Sequence, residues 1–441
     1  MVRLTIWGLF GTILLAQPRD GVTFYKDVLP VLQRQCQSCH RPGEIAPMSF
    51  LTYPETRPWA AAIKKAVITK KMPPWFADPN YGHFRNERRL SAAELQTLVK
   101  WAESGAAEGD PKDKPAPVRF AEGWSIGKPD LVVQFPRAIQ IPATGLMDQS
   151  NLVVKVNFPR DAWVQAAEIR PGNAKVVHHM KAWIRPPGSA WLKDASEGEL
   201  YVPRRGAGMG AGAPAPQAES SGPRPAQEIL AKYNPGVNAQ EFTVGDAANF
   251  IAAGSDIVFE CHYTTTGKPE TDLTRVGIVF ATKAPKQRYV TLTAINNPRF
   301  VIPARAPNHE VKAESILQSD AKIAWVQPHM HYRAKDYELR AFYPSGESEI
   351  LMKAQFDFNW QLGYEFEKPV LLPKGTRLEM TAHYDNTENN PFNPNPNIDV
   401  AYGPQSTDEM AVSFIGFVID VNGDPMKLFP RRGSGAVQDI Q

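Results

Sequence analysis

At 441 residues the chain is too long for a single hydrophobic core, and two or three domains are expected from length alone. Its apolar content of 43% supports real cores, and a formal net charge of +3 gives no footprint for nucleic acid or an anionic membrane. Only three cysteines occur, so the fold cannot depend on a disulfide framework.

The first element in chain order is Met1 to Ala16, with one basic residue, Arg3, ahead of a short apolar run that ends on a small residue. This pattern reads as a secretory signal spanning 1–16, cut near Ala16, and it implies a periplasmic or secreted protein. It is short for a membrane span, so membrane attachment is expected only if the signal stays uncleaved. Residues 20–110 read as helical, within a domain expected over 17–112, and Ser91-Ala92-Ala93-Glu94, a capping box, opens a last helix with Leu95, Leu98 and Trp101 at helical spacing. Residues 113–124, rich in Pro and Lys, read as a linker.

Within the helical region stands Cys36-Gln37-Ser38-Cys39-His40. Two thiols three positions apart suit thioether bonds to two vinyl groups, and the following imidazole suits an axial bond to iron. Zinc would need further ligands, and no second cysteine pair supplies them. A covalent haem c is therefore expected on Cys36, Cys39 and His40. Met72, in Lys71-Met72-Pro73-Pro74-Trp75, is the favoured sixth ligand because flanking prolines stiffen its loop, with Met48 and His83 as competitors. From Phe24 to Gly109 the segment resembles class I cytochrome c domains, on the CxxCH motif, the Met-Pro-Pro loop and the closing helix.

Beyond Trp124 the pattern changes to short alternating strands punctuated by Pro, Gly and Asn, as β-sandwiches require. A first sandwich is expected over 125–284, interrupted by a Gly/Ala/Pro-rich flexible insert at 204–225, and a second over 285–430, followed by a tail at 431–441. A hairpin is marked at Pro344-Ser345-Gly346.

Five histidines fall in three motifs: Val177-His178-His179-Met180, Cys261-His262-Tyr263 and Pro328-His329-Met330-His331. In a strand, i and i+2 share a face, so His329 and His331 can address one metal. His178 and His179, being adjacent, can do so only with a bulge or a different choice of ring nitrogen. Cys261 is turned away from its neighbour by strand alternation and is expected to be a buried thiol, while His309 and His383 read as structural.

The ordered set His-His-Met, His-Tyr, His-x-His and finally Asp408-Glu409-Met410 resembles the type II copper, ascorbate-dependent monooxygenases, the family of peptidylglycine α-hydroxylating monooxygenase and dopamine β-monooxygenase. The resemblance covers residues 125–425 and implies two jelly-roll sandwiches behind an all-α cytochrome domain. It implies an electron-transfer copper on His178, His179 and His262, and a dioxygen-binding copper on His329, His331 and Met410, the last three being the catalytic residues. A thioether beside two imidazoles suits Cu(I), whereas three imidazoles accommodate both copper states. The implied activity is hydroxylation of a small organic substrate by dioxygen; the haem domain is no part of those enzymes, and its fusion here suggests electrons arriving through the haem from an external donor, either an ascorbate-like reductant or a redox protein. A non-catalytic electron-transfer or copper-binding protein is the alternative. Where the peptide-amidating enzymes carry Arg, Asn and Tyr to hold a substrate carboxylate, this chain has Gln327, Val412 and Phe414, which speaks against a peptidyl-glycine substrate.

Overall fold

The computed structural model describes residues 21–44, 46–120, 123–202, 228–234 and 239–430. The expected signal, the insert at 204–225 and the tail at 431–441 lie outside the described residues. The chain divides into two compact units, one comprising Met1–Pro42, Met48–Pro73 and Leu90–Val118, the other Gly43–Pro47, Pro74–Arg89 and Arg119–Gln441.

Every regular element of the first unit is helical among its described residues, the principal ones being Leu29–Gln35, Ala60–Ile68 and Ala92–Glu103. Ile63 and Val67, four apart, turn the same face of their helix inward, and Leu98 and Trp101 do likewise three apart. The last helix starts as its sequence requires: Ser91 Oγ accepts from the Glu94 amide at 3.2 Å while Glu94 Oε2 accepts from the Ser91 amide at 2.9 Å. Phe24, Leu32, Leu98 and Trp101 are fully buried at the centre.

The second unit is built from β-sheets. Its largest sheet has nine strands, in the order Leu131–Gln134, Arg275–Phe280, Ala162–Arg170, Ala247–Ile251, Gln287–Asn296, Val412–Asp420, Ala321–His329 and Tyr364–Leu372, with Gln240–Glu241 paired to the third. A five-stranded sheet containing Val177–Arg185 and Asp256–Tyr263 encloses one core with the first half of it. A four-stranded sheet containing Ala334–Phe342 and Arg377–Tyr384 encloses another with the second half. The strand Arg377–Tyr384 shows why these segments are strands: its residues alternate strictly between half-buried and buried, the period of a pleated sheet with one face on a core. The hairpin expected at Pro344-Ser345-Gly346 joins Ala334–Phe342 to Ser348–Gln355, with Gly346 at φ +92°, a left-handed conformation that costs glycine little.

Two sequence-based boundaries change. The division at 284/285 falls within one continuous sheet, because Gln287 and Arg288 pair in parallel with Ala247 and Ala248, so the two sandwiches share a wall. Residues 74–89, expected in the helical domain, belong to the β unit instead. Ala77 bridges to Ala354 and Phe84 to Phe366, and the rings of Trp75 and Phe84 lie 5.0 and 5.4 Å from that of Tyr364. Aromatic burial against a sheet edge outweighs the sequence proximity of this segment to the helices.

Candidate metal centre

His179 and His262 are direct cross-strand partners on the antiparallel strands Val177–Arg185 and Asp256–Tyr263. The next pair in the ladder is Tyr263 with Val177, which leaves His178 as the extra residue of a bulge. That bulge is what allows two adjacent histidines to face one point. Ligand atoms of His178, His179 and His262 all lie within 4.8 Å of one another. The Nδ1 atoms of His178 and His179 are 3.1 Å apart. Two nitrogens bound at about 2.0 Å to one ion at roughly right angles are separated by about 3 Å, so this spacing fits a shared metal.

The surrounding hydrogen bonds select the nitrogens. Ser406 Oγ lies 3.1 Å from His262 Nε2, whereas His262 Nδ1 is buried with no hydrogen-bond partner. His178 Nε2 and His179 Nε2 are also buried and unpartnered. Burial keeps these rings neutral, taking His178 down to about 4 and His262 down to about 3, with neighbouring His178, His331 and Lys181 adding to the effect on His262. His179 is held well below the ordinary histidine value by burial and then by His262. Neutral, buried imidazoles with unused nitrogens are a ligand set suited to copper or zinc.

His329 ends the strand Ala321–His329, and His331 follows two residues later, with ring centroids 5.5 Å apart. His329 donates through Nδ1 to Gln361 Oε1 at 2.6 Å, and His331 donates through Nδ1 to the Asp408 carbonyl at 3.2 Å. Each bond fixes the tautomer and leaves Nε2 as the free donor atom. Burial lowers His331 to about 4 and depresses His329 strongly. Met410 is half-buried two residues before Val412, the strand partner of His329. The intervening turn is fixed by Glu409, whose carboxylate accepts from the amides of His331 at 2.9 Å, Arg333 at 2.6 Å and Met410 at 3.3 Å. Burial pushes Glu409 up to about 7 despite these donors.

The sequence places these two groups on different sandwiches, and the structure brings them into contact. The rings of His179 and His329 are 5.7 Å apart. Phe358 stacks on His178 at 4.8 Å and lies 6.5 Å from His331.

Several contributors escape sequence reasoning. Gln361 and Ser406 lie in irregular segments with no periodicity, while Glu409 stands inside the Asp-Glu-Met motif with nothing in its spacing to mark it as the residue that fixes the turn. Behind the site, Lys181 donates to Glu260 at 2.5 Å, and the buried Lys232 donates to Gln327. Both side-chain nitrogens lie over the ring of Phe414, Lys181 at 4.6 Å and Lys232 at 3.7 Å from its centroid. Gln327 and Phe414 are thus engaged in packing of the interior. Cys261 is fully buried and unpaired, and His383 is hydrogen-bonded to Asp336 at 2.7 Å, as expected for structural residues.

In the helical unit, Cys36 and Cys39 are unpaired and lie on the turn that follows Leu29–Gln35, with the amides of Cys39 and His40 both donating to the Cys36 carbonyl. The His40 ring stacks on Phe50 at 4.3 Å. Burial pushes the Cys36 thiol up to about 12 and lowers His40, so a neutral thiol and a neutral imidazole are presented. Met48 packs half-buried on the helical core, and the Met72 amide donates to the Ala66 carbonyl at the end of Ala60–Ile68. His83 is exposed in the β unit, its carbonyl accepting from the Glu367 amide at 2.8 Å.

No protein-family model and no curated protein matches the sequence. Among solved structures, the VP2 subviral particle of infectious bursal disease virus aligns at 10% identity, over 68% of this chain and 75% of that one, with a TM-score of 0.17. The PBSX exported protein XepA aligns at 6% identity, over 58% and 87%, with a TM-score of 0.16. Likeness at this level carries no argument about function.

Proposed function

We propose that this protein is an exported copper-dependent monooxygenase that receives electrons through a covalent c-type haem and oxygenates a small organic substrate. The observation carrying this reading is the set of neutral imidazoles at His178, His179 and His262, whose ligand atoms all lie within 4.8 Å of one another, with the Nδ1 atoms of His178 and His179 3.1 Å apart. Three neutral imidazoles held this close are a ligand set for one ion. Copper bound there and at His329, His331 and Met410 would supply one-electron redox chemistry and a reaction partner for dioxygen.

The chain's own residues have distinct tasks. Gln361 and the Asp408 carbonyl hold the protons of His329 and His331 on Nδ1, so that both rings offer Nε2. Ser406 orients His262 from the loop that also carries Met410, coupling the two ligand groups mechanically. Glu409 fixes the backbone on which His331 and Met410 stand. Phe358 and Phe414 line the rings with apolar surface and keep bulk water away. Cys36, Cys39 and His40 would hold the haem of a class I cytochrome c domain, with Met72 as sixth ligand, and the sandwiches are read as jelly rolls.

The test is oxygen consumption by the full-length, copper-loaded, haem-reduced protein over a panel of organic substrates, with product identification. Uptake coupled to a hydroxylated product is expected. No uptake with any substrate, together with a reduced haem that never reoxidises in stopped flow when Cu(II) is present, overturns the reading.

A further inference from the structure

We infer that Lys232 is a positioning residue for His329, acting through Gln327 and Gln361 to set the ring orientation and tautomer that leave Nε2 as the donor atom. This rests on the copper reading above and deepens it. Lys232, Gln327, Gln361 and His329 are each no more than 2% exposed and form one unbroken chain of contacts. Lys232 donates through Nζ to Gln327 Oε1, Gln327 donates through Nε2 to the Gln361 carbonyl at 2.5 Å, and Gln361 Oε1 accepts from His329 Nδ1 at 2.6 Å. A backbone carbonyl can only accept, so the Gln327 amide has one allowed orientation, with its oxygen towards Lys232. A second support leads back to the same nitrogen. The Phe414 ring lies 5.4 Å from that of His329, and its centroid is 3.7 Å from Lys232 Nζ.

A lysine this deep is costly unless a partner or a task offsets its burial. The nearby carboxylate of Glu260 is already taken by Lys181 at 2.5 Å and by the Trp183 indole at 3.2 Å. Among the described residues Lys232 has a neutral amide for its hydrogen-bond partner instead, that of Gln327. Burial, and then Lys181, hold Lys232 well below the ordinary lysine value, which suits a group that serves as a hydrogen-bond donor more than as a charge. Gln361 has need of such a brace. It stands in the irregular segment 356–363 between the strands Ser348–Gln355 and Tyr364–Leu372, outside any sheet ladder, and the bond from Gln327 to its carbonyl anchors it there.

The experiment compares full-length wild type with Lys232→Met in two measurements: the histidine ring 15N shifts of the metal-free protein by nuclear magnetic resonance, and the Cu(II) affinity of each ligand group by chelator competition. In the wild type His329 is expected to carry its proton on Nδ1. In Lys232→Met it is expected to become a mixture of tautomers, with affinity at the second group lowered about 10-fold and binding at His178, His179 and His262 unchanged. Gln327→Met, which breaks the next link and also serves if Lys232→Met does not fold, is expected to give the same loss. The double variant is expected to lose no more than either single one, because links of one chain do not add. Unchanged ring shifts and affinity in the single variants, or losses that simply add in the double one, overturn the inference while leaving the copper reading intact. A wild type that binds one ion only, with His329 shifts that still depend on Lys232, overturns the copper reading of the second group and supports the positioning role.

Discussion

Single atoms decide what this centre can hold. His178, His262 and His331 stay neutral in the folded protein down to about 4, 3 and 4, whereas in an unfolded chain they take up protons near their ordinary value of about 6.5. Between these limits the unfolded state binds more protons, so stability rises with pH there. The metal-free protein is therefore expected to be most stable above about pH 6.5 and to lose on the order of a few kcal/mol per histidine as pH falls towards 4. A melting temperature that stays flat between about pH 7 and pH 5 would contradict this. Gln361 gives a second case, because its carbonyl oxygen alone fixes the tautomer of His329. Gln361→Leu is expected to weaken copper binding at the second group by about 10–100-fold in a chelator competition, with binding at His178, His179 and His262 unchanged. The ligating histidines are legible in the sequence because their spacing reports strand geometry. Their partners are not: Gln361 and Ser406 are reached through loops whose course only the packed structure determines.

At the level of elements, the bulge at His178 follows from a conflict already visible in the chain, two adjacent ligands on a strand whose side chains must alternate. The helix cap at Ser91 and the Gly346 hairpin are equally local, and each is encoded within a few residues. The buried ion pair across Val177–Arg185 and Asp256–Tyr263 is not, since Lys181 and Glu260 lie on strands that meet only in the folded sheet. Glu260 also accepts from the Trp183 indole at 3.2 Å, so its removal strands two buried donors. Glu260→Gln is expected to destabilise the protein by about 3–5 kcal/mol, measured by urea unfolding, because the Lys181 charge is left buried without its counterion. Replacing both members with apolar residues is expected to recover most of that loss, and a double variant as unstable as the single one would refute this account.

The whole β unit is legible in the sequence as strands and cores, but not as one body. The pairing of Gln287–Asn296 with Ala247–Ile251 is parallel and spans a long stretch of chain, and periodicity records only that each segment is a strand. Because the sandwiches share that sheet and the cluster around Phe414, they are expected to unfold in a single calorimetric transition that copper shifts upward as a whole. Two separable sandwich transitions, only one of them sensitive to copper, would be the contrary result. The segment Pro74–Arg89 has a further consequence for any attempt to take the protein apart. The chain leaves the helical unit at Pro73, contributes Trp75, Ala77 and Phe84 to the β core, and re-enters the helical unit at Leu90. No single cut therefore separates the helical unit from the rest. A fragment beginning at Arg119 would leave Tyr364 and Phe366 bare where Trp75 and Phe84 cover them, and it is expected to aggregate, whereas supplying 74–89 as a separate peptide should restore a soluble, copper-binding fold.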